Sequence, residues 1–479
     1  MKDKSITSGH KLIKNTILFM LGTVGTKILT YLLVPFYTSI LSTDEFGVCD
    51  TIFTTVSLLY PLFTLVIGEA VFRFTMDKEY DKKKVFSIGL SITFRGFIIA
   101  CLCSPLLFLF SSFRPYFSLI LLYYFSTTLQ VLFSQFAKSI NKIFSFSLSS
   151  IVGTFIILTS TILFLKYIPF GVMGYLLAYT IGNFCMCIYL FISCQLYKYI
   201  TWNNHEIKSV RNSMIKYSIP IIPNAASWWI STSSDKYVLN FFSGLSVTGI
   251  YSVAYKMPSL MTLISSVFLS AWQISAVEEY SNSEKEKYYS LVYKKFSVVL
   301  FIFVSFLLLF NKFLSSFLFS KEFYAAWKYV PILLMAYLFH DLANYLGSIY
   351  NASKETKQLF VSTMLGAIVN IILNFALIPT FSAYGAAFAT MCSFFVVWIY
   401  RVITVNRIVK IQINMLSYIV NLLLLSVQTV IELTELEFGI FISLCVFFIL
   451  LILNFGEIKM LFKDLMTIIN RKFRIRGCK

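Results

Sequence analysis

The sequence predicts an all-α polytopic membrane protein with about fourteen transmembrane helices. Composition is the first reason: of 479 residues, 58% are hydrophobic and 13% charged, with 50 Phe and 29 Tyr. Soluble domains carry about 25% charged residues. Apolar runs are the second reason, and FSVVLFIFVSFLLLF (296–310) and IFISLCVFFILLILNF (440–455) are two of many. Runs approaching ~20 apolar residues read as bilayer crossings. Charge placement is the third, and it emerges from the spans themselves.

Breaks at turn and charge signals place the first six spans at 13–39, 46–72, 85–110, 116–137, 146–166 and 174–197. The next six are 214–242, 247–276, 289–318, 328–351, 357–378 and 384–405, and 415–433 and 439–455 complete the set. The start, MKDKSITSGHKLIKNTILFMLG, is basic and then apolar like a signal peptide. Its apolar part runs on to Tyr37 without a small-residue cleavage site, which reads as a retained first helix. With both termini cytoplasmic, about thirty of the 40 Lys and Arg fall on the inner side and about five on the outer, the asymmetry of the positive-inside rule.

Span seven contains WWISTSSDKYVLNFF (228–242) and is a poor insertion candidate. Asp235 and Lys236 each cost ~2.5–3.5 kcal/mol at a helix centre. If it did not cross, EKEK, SKETK and the tail RKFRIR would all change to the outer side. The charge bias therefore requires it to cross. After the last span, EIKMLFKDLMTIINRKF places Met460, Leu461, Leu465, Ile468 and Ile469 at helical spacing opposite Lys459, Lys463 and Arg471. That pattern suits a helix on an anionic membrane surface, or a solvated basic tail.

The chain carries an internal repeat. LSTDEFGVCD joins spans one and two, and GLSVTGIYSV joins seven and eight, with Gly47 and Gly249 in matching places. Pro169, Gly174 and Ala178 likewise match Pro379, Gly385 and Ala389. Offsets of six spans imply two parallel six-helix bundles, 1–200 and 201–410, then two further helices within 411–456 and the tail 457–479. Pro35, Pro220 and Pro223 occupy the opening helix of each half and are expected to bend it.

Cationic side chains lie deep in several spans: Lys27, Arg95, Lys236 and Lys256, with Arg401 near an inner end, where it is expected to snorkel. Helical spacing puts Asn224, Ser227, Ser231, Ser234 and Asp235 on one stripe, which Thr232, Ser233, Lys236 and Asn240 widen. Lys27 falls in line with Thr16, Thr23 and Thr30; Lys256 with Ser252 and Ser259; and Asp341 with His340, Asn344 and Ser348. Such faces are costly against lipid and imply protein or a wet cavity. Structural ion pairs, Asp235 with Lys256 and Glu69 with Arg73, are the plainer explanation. The cations nevertheless outnumber nearby acids, and the surplus implies an anionic ligand. Asp235, Asp341 and Glu69 are candidates for a coupling proton or sodium ion, or for gating.

Several function classes are excluded. The net charge of +18 lies in short loops, with no aromatic-lined basic groove for nucleic acid. The nine cysteines have no zinc spacing, so no metal is expected. The three histidines, His10, His205 and His340, are scattered, and no phosphate-cradling glycine loop is present, so the chain does not read as an enzyme.

LLVPFYTSILSTDEFGVCD, EAVFRF, SDKYVLNFFSGLSVTGIYSVAYKMP and ALIPTFSAYGAAFAT resemble the bacterial polysaccharide-biosynthesis flippases. These belong to the MATE-like multidrug/oligosaccharidyl-lipid/polysaccharide exporter superfamily. The resemblance implies a MATE-like arrangement of the bundles in a bacterial inner membrane. It implies alternating-access transfer of an undecaprenyl-pyrophosphate-linked oligosaccharide from the cytoplasmic to the outer leaflet, for O-antigen or capsule assembly. Polymerase and chain-length proteins would be partners, and no cofactor beyond a coupling H+ or Na+ is implied. Lys27, Arg95, Lys236 and Lys256 would then face the pyrophosphate or acidic sugars. A lipid II flippase is near kin. A drug or metabolite cation antiporter would want an acidic cavity instead.

Overall fold

The computed structural model describes residues 25–77, 79–201, 207–280, 284–353, 355–412, 414–461 and 463. Among them the chain is all helical, with no strand. It forms two compact units, Met1–Ser252 with Leu318–Phe323, and Val253–Phe317 with Tyr324–Lys479.

The first unit contains α1 (25–40), α2 (Thr43–Phe63), α3 (Ile67–Met76), α4 (Lys82–Cys103), α5 (Phe117–Ser139), α6 (Ile143–Ile162), α7 (Gly171–Ser193), α8 (Ile207–Ser218) and nearly all of α9 (Ile221–Ala254). A capping box starts α2: Ser42 Oγ accepts the Glu45 N–H, and Glu45 Oε2 accepts the Ser42 N–H. The predicted second span is in fact two helices, because Leu65 and Val66 take left-handed φ angles of 53° and 52°. Its continuation, α3, packs with α4, α5 and α7 around Val71, Phe86, Leu132, Phe136 and Leu190, all buried. Met214 of α8 joins that core, with Val210 partly buried against it. This four-residue step gives a short amphipathic helix where the sequence reading had only a loop.

Pro35 lies within α1. The other two prolines act differently from expectation. Pro220 falls between α8 and α9, and Pro223 sits in the first turn of α9, where a missing N–H has no helical partner to lose. They mark a helix boundary rather than a bend, so the seventh span begins at Ile221 instead of 214.

The second unit holds α10 (Lys256–Glu279), α11 (Lys285–Leu309), α12 (Asn311–Leu318, whose last residue falls in the first unit), α13 (Val330–Ser353), α14 (Thr356–Val405), α15 (Met415–Thr434) and α16 (Gly439–Leu453). α13 is its centre, buried along most of its length from Val330 to Tyr350. Around it, Trp272 donates to Ser348 Oγ at 2.7 Å and stacks on Tyr345 at 4.7 Å. Trp398 donates to the Tyr293 hydroxyl at 2.9 Å.

Among the described residues, ten helices are long and apolar enough to cross a membrane. Two of these stretches, Lys208–Leu269 and Lys357–Val405, run 62 and 49 residues, well beyond the ~20 of one crossing. Both fold back. In the first, Gly244 has φ 84°, and the Tyr251 hydroxyl meets Asp235 at 2.8 Å, although sixteen residues of straight helix span ~24 Å. In the second, Ser382 breaks the helix, and Ser393 Oγ meets the Gly366 carbonyl at 2.8 Å. The helix after α16 resumes at Phe455–Leu461, bent by 65°. The rest of the predicted tail helix, Thr16 and Thr23 of the first stripe, and both termini lie outside the described residues.

Polar side chains fasten α15 and α16 to α11. Buried Gln428 accepts from Ser305 Oγ at 2.7 Å, and donates to the Ser305 carbonyl at 3.0 Å and to Ser443 Oγ at 2.7 Å. Interhelical hydrogen bonds in membranes average ~0.6 kcal/mol, with ~1.7 at most. Gln428→Leu should therefore cost about 1–2 kcal/mol and lower the thermal unfolding midpoint in detergent. An unchanged midpoint would mean that packing alone holds these helices.

Candidate functional site

The polar stripe of α9 is buried, as its spacing predicts: Ser227, Ser231 and Asp235 are 7%, 3% and 0% exposed. Adjacent helical residues do not share a face, so Asp235 and Lys236 reach different partners. Asp235 Oδ1 accepts the Lys236 backbone N–H at 2.9 Å, and Oδ2 accepts the hydroxyl of buried Tyr251 at 2.8 Å. This acid ties together the two arms of α9 on either side of Gly244. Lys236 Nζ instead reaches Asp50 Oδ2 of α2 at 2.7 Å, and the Ser252 hydroxyl donates to the same oxygen at 2.7 Å. The Lys236 and Asp50 side chains are only 12% and 16% exposed.

The rest of the seam is polar and aromatic. Trp229 Nε1 donates to the Thr54 carbonyl at 3.0 Å and to Ser57 Oγ at 3.1 Å. Thr55 and Tyr237 share a hydroxyl hydrogen bond at 2.5 Å. At its far end Thr43 meets Ser246 at 2.7 Å. The partners run 57 to 43 on α2 as they run 229 to 246 on α9, so α2 lies antiparallel to the first arm. It also meets the second arm at the two glycines matched by the repeat. A Cβ on Gly47 would lie 2.4 Å from the Leu245 carbonyl oxygen, and one on Gly249 would lie 2.0 Å from that of Thr43. Each glycine is the hole into which the other segment's backbone fits.

Asp50 is the residue of this site that the sequence reading missed. The signal was available, because the register that matches Gly47 with Gly249 also matches Asp50 with Ser252. Those two residues hydrogen-bond. Chemically, the site holds an ammonium against the Asp50 carboxylate, which also accepts from the Ser252 hydroxyl. A phosphate oxygen is an anionic acceptor of the same kind as the Asp50 carboxylate.

The other predicted residues are placed as follows. Lys27 is half-buried on α1. Lys256 opens α10, half-buried, with its carbonyl accepting from Ser259 Oγ at 2.8 Å. Asp341 is 1% exposed, Oδ1 lies 2.9 Å from His340 Nδ1, and Oδ2 has no hydrogen-bond partner among the described residues. Asn344 lies 3.3 Å from the His340 ring. The expected Glu69–Arg73 ion pair is not formed among the described residues. Glu69 Oε1 instead accepts from Gln135 Nε2 of α5 at 2.6 Å, a bond across helices that needs no charge partner.

Two cations depart from expectation. Arg401 does not snorkel: it is 1% exposed, donating from Nε to Ser362 Oγ at 2.9 Å and from Nη1 to the Ala343 carbonyl at 2.8 Å. Neutral acceptors at hand make reaching for water unnecessary. Arg95 is on the exposed face of α4 beside Phe94 and Ile98, and it lines a groove with Arg211 of α8.

The fold is shared with known transporters. The lipid II flippase MurJ in an inward closed conformation superposes with a TM-score of 0.69 at 17% identity, over 94% of this chain and all of that one. A multidrug resistance MATE family transporter of the MOP superfamily, inward-facing, gives 0.63 at 12% identity over 81% of this chain and 95% of its own. Its outward-facing counterpart gives 0.59 at 13%, over 83% and 95%. The architecture is thus the MOP transporter fold expected from the sequence. Comparison with the curated proteins gives no significant match. Residues 12–273 match the polysaccharide biosynthesis protein family, and the chain belongs to that family. The matched segment contains Asp50, Lys236 and both matched glycines.

Proposed function

We propose that this chain is a flippase that carries a polyprenyl-pyrophosphate-linked oligosaccharide from the cytoplasmic to the outer leaflet of a bacterial inner membrane. It would supply O-antigen or capsule assembly, handing its cargo to polymerase and chain-length proteins. The observation that carries this reading is the Lys236–Asp50 pair, a cation kept inside a membrane protein of a polysaccharide family. A charge there is expensive, and such residues mark substrate or ion paths.

In the proposed cycle a substrate phosphate competes with Asp50 for Lys236, and Lys27 of the same unit adds positive charge. Binding then weakens the hold of α2 on the first arm of α9 and shifts the population toward the alternate state. Asp235, through Tyr251, keeps Lys236 in position while this happens. A coupling H+ or Na+ would act at Asp235 or Asp341. No catalytic step is involved.

The test is mass spectrometry of polyprenyl-linked glycans in cells with and without the chain, with leaflet location read by an impermeant glycosidase. Complete repeat units trapped on the inner leaflet, and released by the native chain but not by Asp235→Asn, are the expected result. Unchanged repeat units with trapped lipid II would transfer the assignment to peptidoglycan precursor. If both lipids are unaffected, the chain is not a lipid flippase.

A further inference from the structure

The groove that holds Arg95 is distinct from the Lys236 seam. It measures about 520 Å³ and runs between α4, the segment at Ile200 and Thr201, and α8. Arg95, Arg211, Ser91, Leu90, Phe94 and Ile98 are among its walls, and no acidic residue among those described lines it. Neither arginine has an ion pair or hydrogen bond among the described residues. The wall is built rather than incidental, because Ser87 Oγ accepts the Thr201 N–H at 2.8 Å and donates to the Tyr199 carbonyl at 3.3 Å. This pins the strap to α4.

One side of the groove continues into an exposed apolar strip. Phe94, Ile98 and Leu102 are 47%, 58% and 75% exposed along α4. Two guanidiniums with no counter-charge among the described residues, set beside hydroxyls and continuing into an apolar strip, match a molecule with an anionic head and apolar chains. Arg is suited to phosphate through its fork of donors. The volume suits a single lipid headgroup with its first methylenes and is short of an oligosaccharide with its carrier. An exposed apolar strip on a helix long enough to cross a membrane would let a lipid reach the groove by lateral diffusion.

We propose that this groove binds the phosphate of an anionic glycerophospholipid, held between Arg95 and Arg211, and that the lipid clamps α8 to α4. Because α8 leads directly into α9, the occupant would also steady the helix that carries Lys236. The site is independent of the flippase reading and is tested without transport.

The experiment is native mass spectrometry of the purified full-length protein, delipidated and titrated with phosphatidylglycerol or with phosphatidylcholine, beside thermal unfolding with each lipid. Expected is one phosphatidylglycerol retained longest and raising the midpoint, with phosphatidylcholine at least tenfold weaker. The Arg95→Gln/Arg211→Gln double variant should lose that preference, while Arg95→Lys keeps most of it. Size-exclusion profiles identify any misfolded variant, and because Arg95 is exposed, Arg95→Gln alone should fold and show a partial loss. Equal retention of the two lipids, or full retention by the folded double variant, would overturn the proposal. So would displacement by millimolar inorganic phosphate, which would mark a free-anion site. Preferential displacement by a polyprenyl phosphate would overturn it too, by giving the groove to the carrier lipid.

Discussion

On the proposed function, Lys236→Ala should abolish outer-leaflet delivery of the glycan, and Asp50→Asn should reduce it at least tenfold. Removing one member of a buried ion pair costs about 3–5 kcal/mol, so both variants should also be less stable. The informative variant is the exchange, Asp50→Lys with Lys236→Asp. It restores opposite charges across the 2.7 Å contact but moves the cation from α9 to α2. If the pair only braces the helices, the exchange recovers stability and transport together. If Lys236 must meet a phosphate, it recovers the unfolding midpoint and leaves transport lost. The second result is expected, and full transport by the exchanged protein would reduce the pair to a structural brace.

Gly249→Val should be severely damaging. A Cβ there would stand 2.0 Å from the Thr43 carbonyl oxygen, a backbone atom that cannot rotate aside. The two backbones would have to part, straining the Thr43–Ser246 and Asp50–Ser252 contacts, both 2.7 Å. Overpacking costs ~1–3 kcal/mol and occasionally more, and this case should lie at or above the upper end. Folded yield in detergent measures it, with Gly249→Ala intermediate. Native yield from Gly249→Val would show that the contact is looser than it stands here.

The sequence and the structure agree best where one physical signal dominates. Apolar length placed the 415–433 span against α15 at Met415–Thr434, and the 439–455 span against α16 at Gly439–Leu453. Serine spacing foretold the buried face of α9. Length failed where a helix is short: α8 has only twelve residues and owes its place to Met214 entering a core made by distant helices. Charge counting failed at Asp50, which was passed over with the acids of its loop. Arg401 was misjudged because its acceptors, Ser362 and the Ala343 carbonyl, are brought to it by tertiary folding alone. Arg95 lies as deep along its helix as expected, but depth along the axis says nothing about which side of the helix faces lipid.

The contact between Asp50 and Lys236 also bears on how the protein is made. During synthesis, α2 leaves the ribosome about 186 residues before its partner lysine. Until then its carboxylate must wait in the membrane without either Lys236 or Ser252. The later segment carries the reverse burden, since a span with Asp235 and Lys236 inserts poorly alone at ~2.5–3.5 kcal/mol per charge. A pairing of this kind would favour insertion of the seventh span once the second is in place. A chain truncated before residue 236 should therefore be a preferred substrate for membrane quality-control proteases.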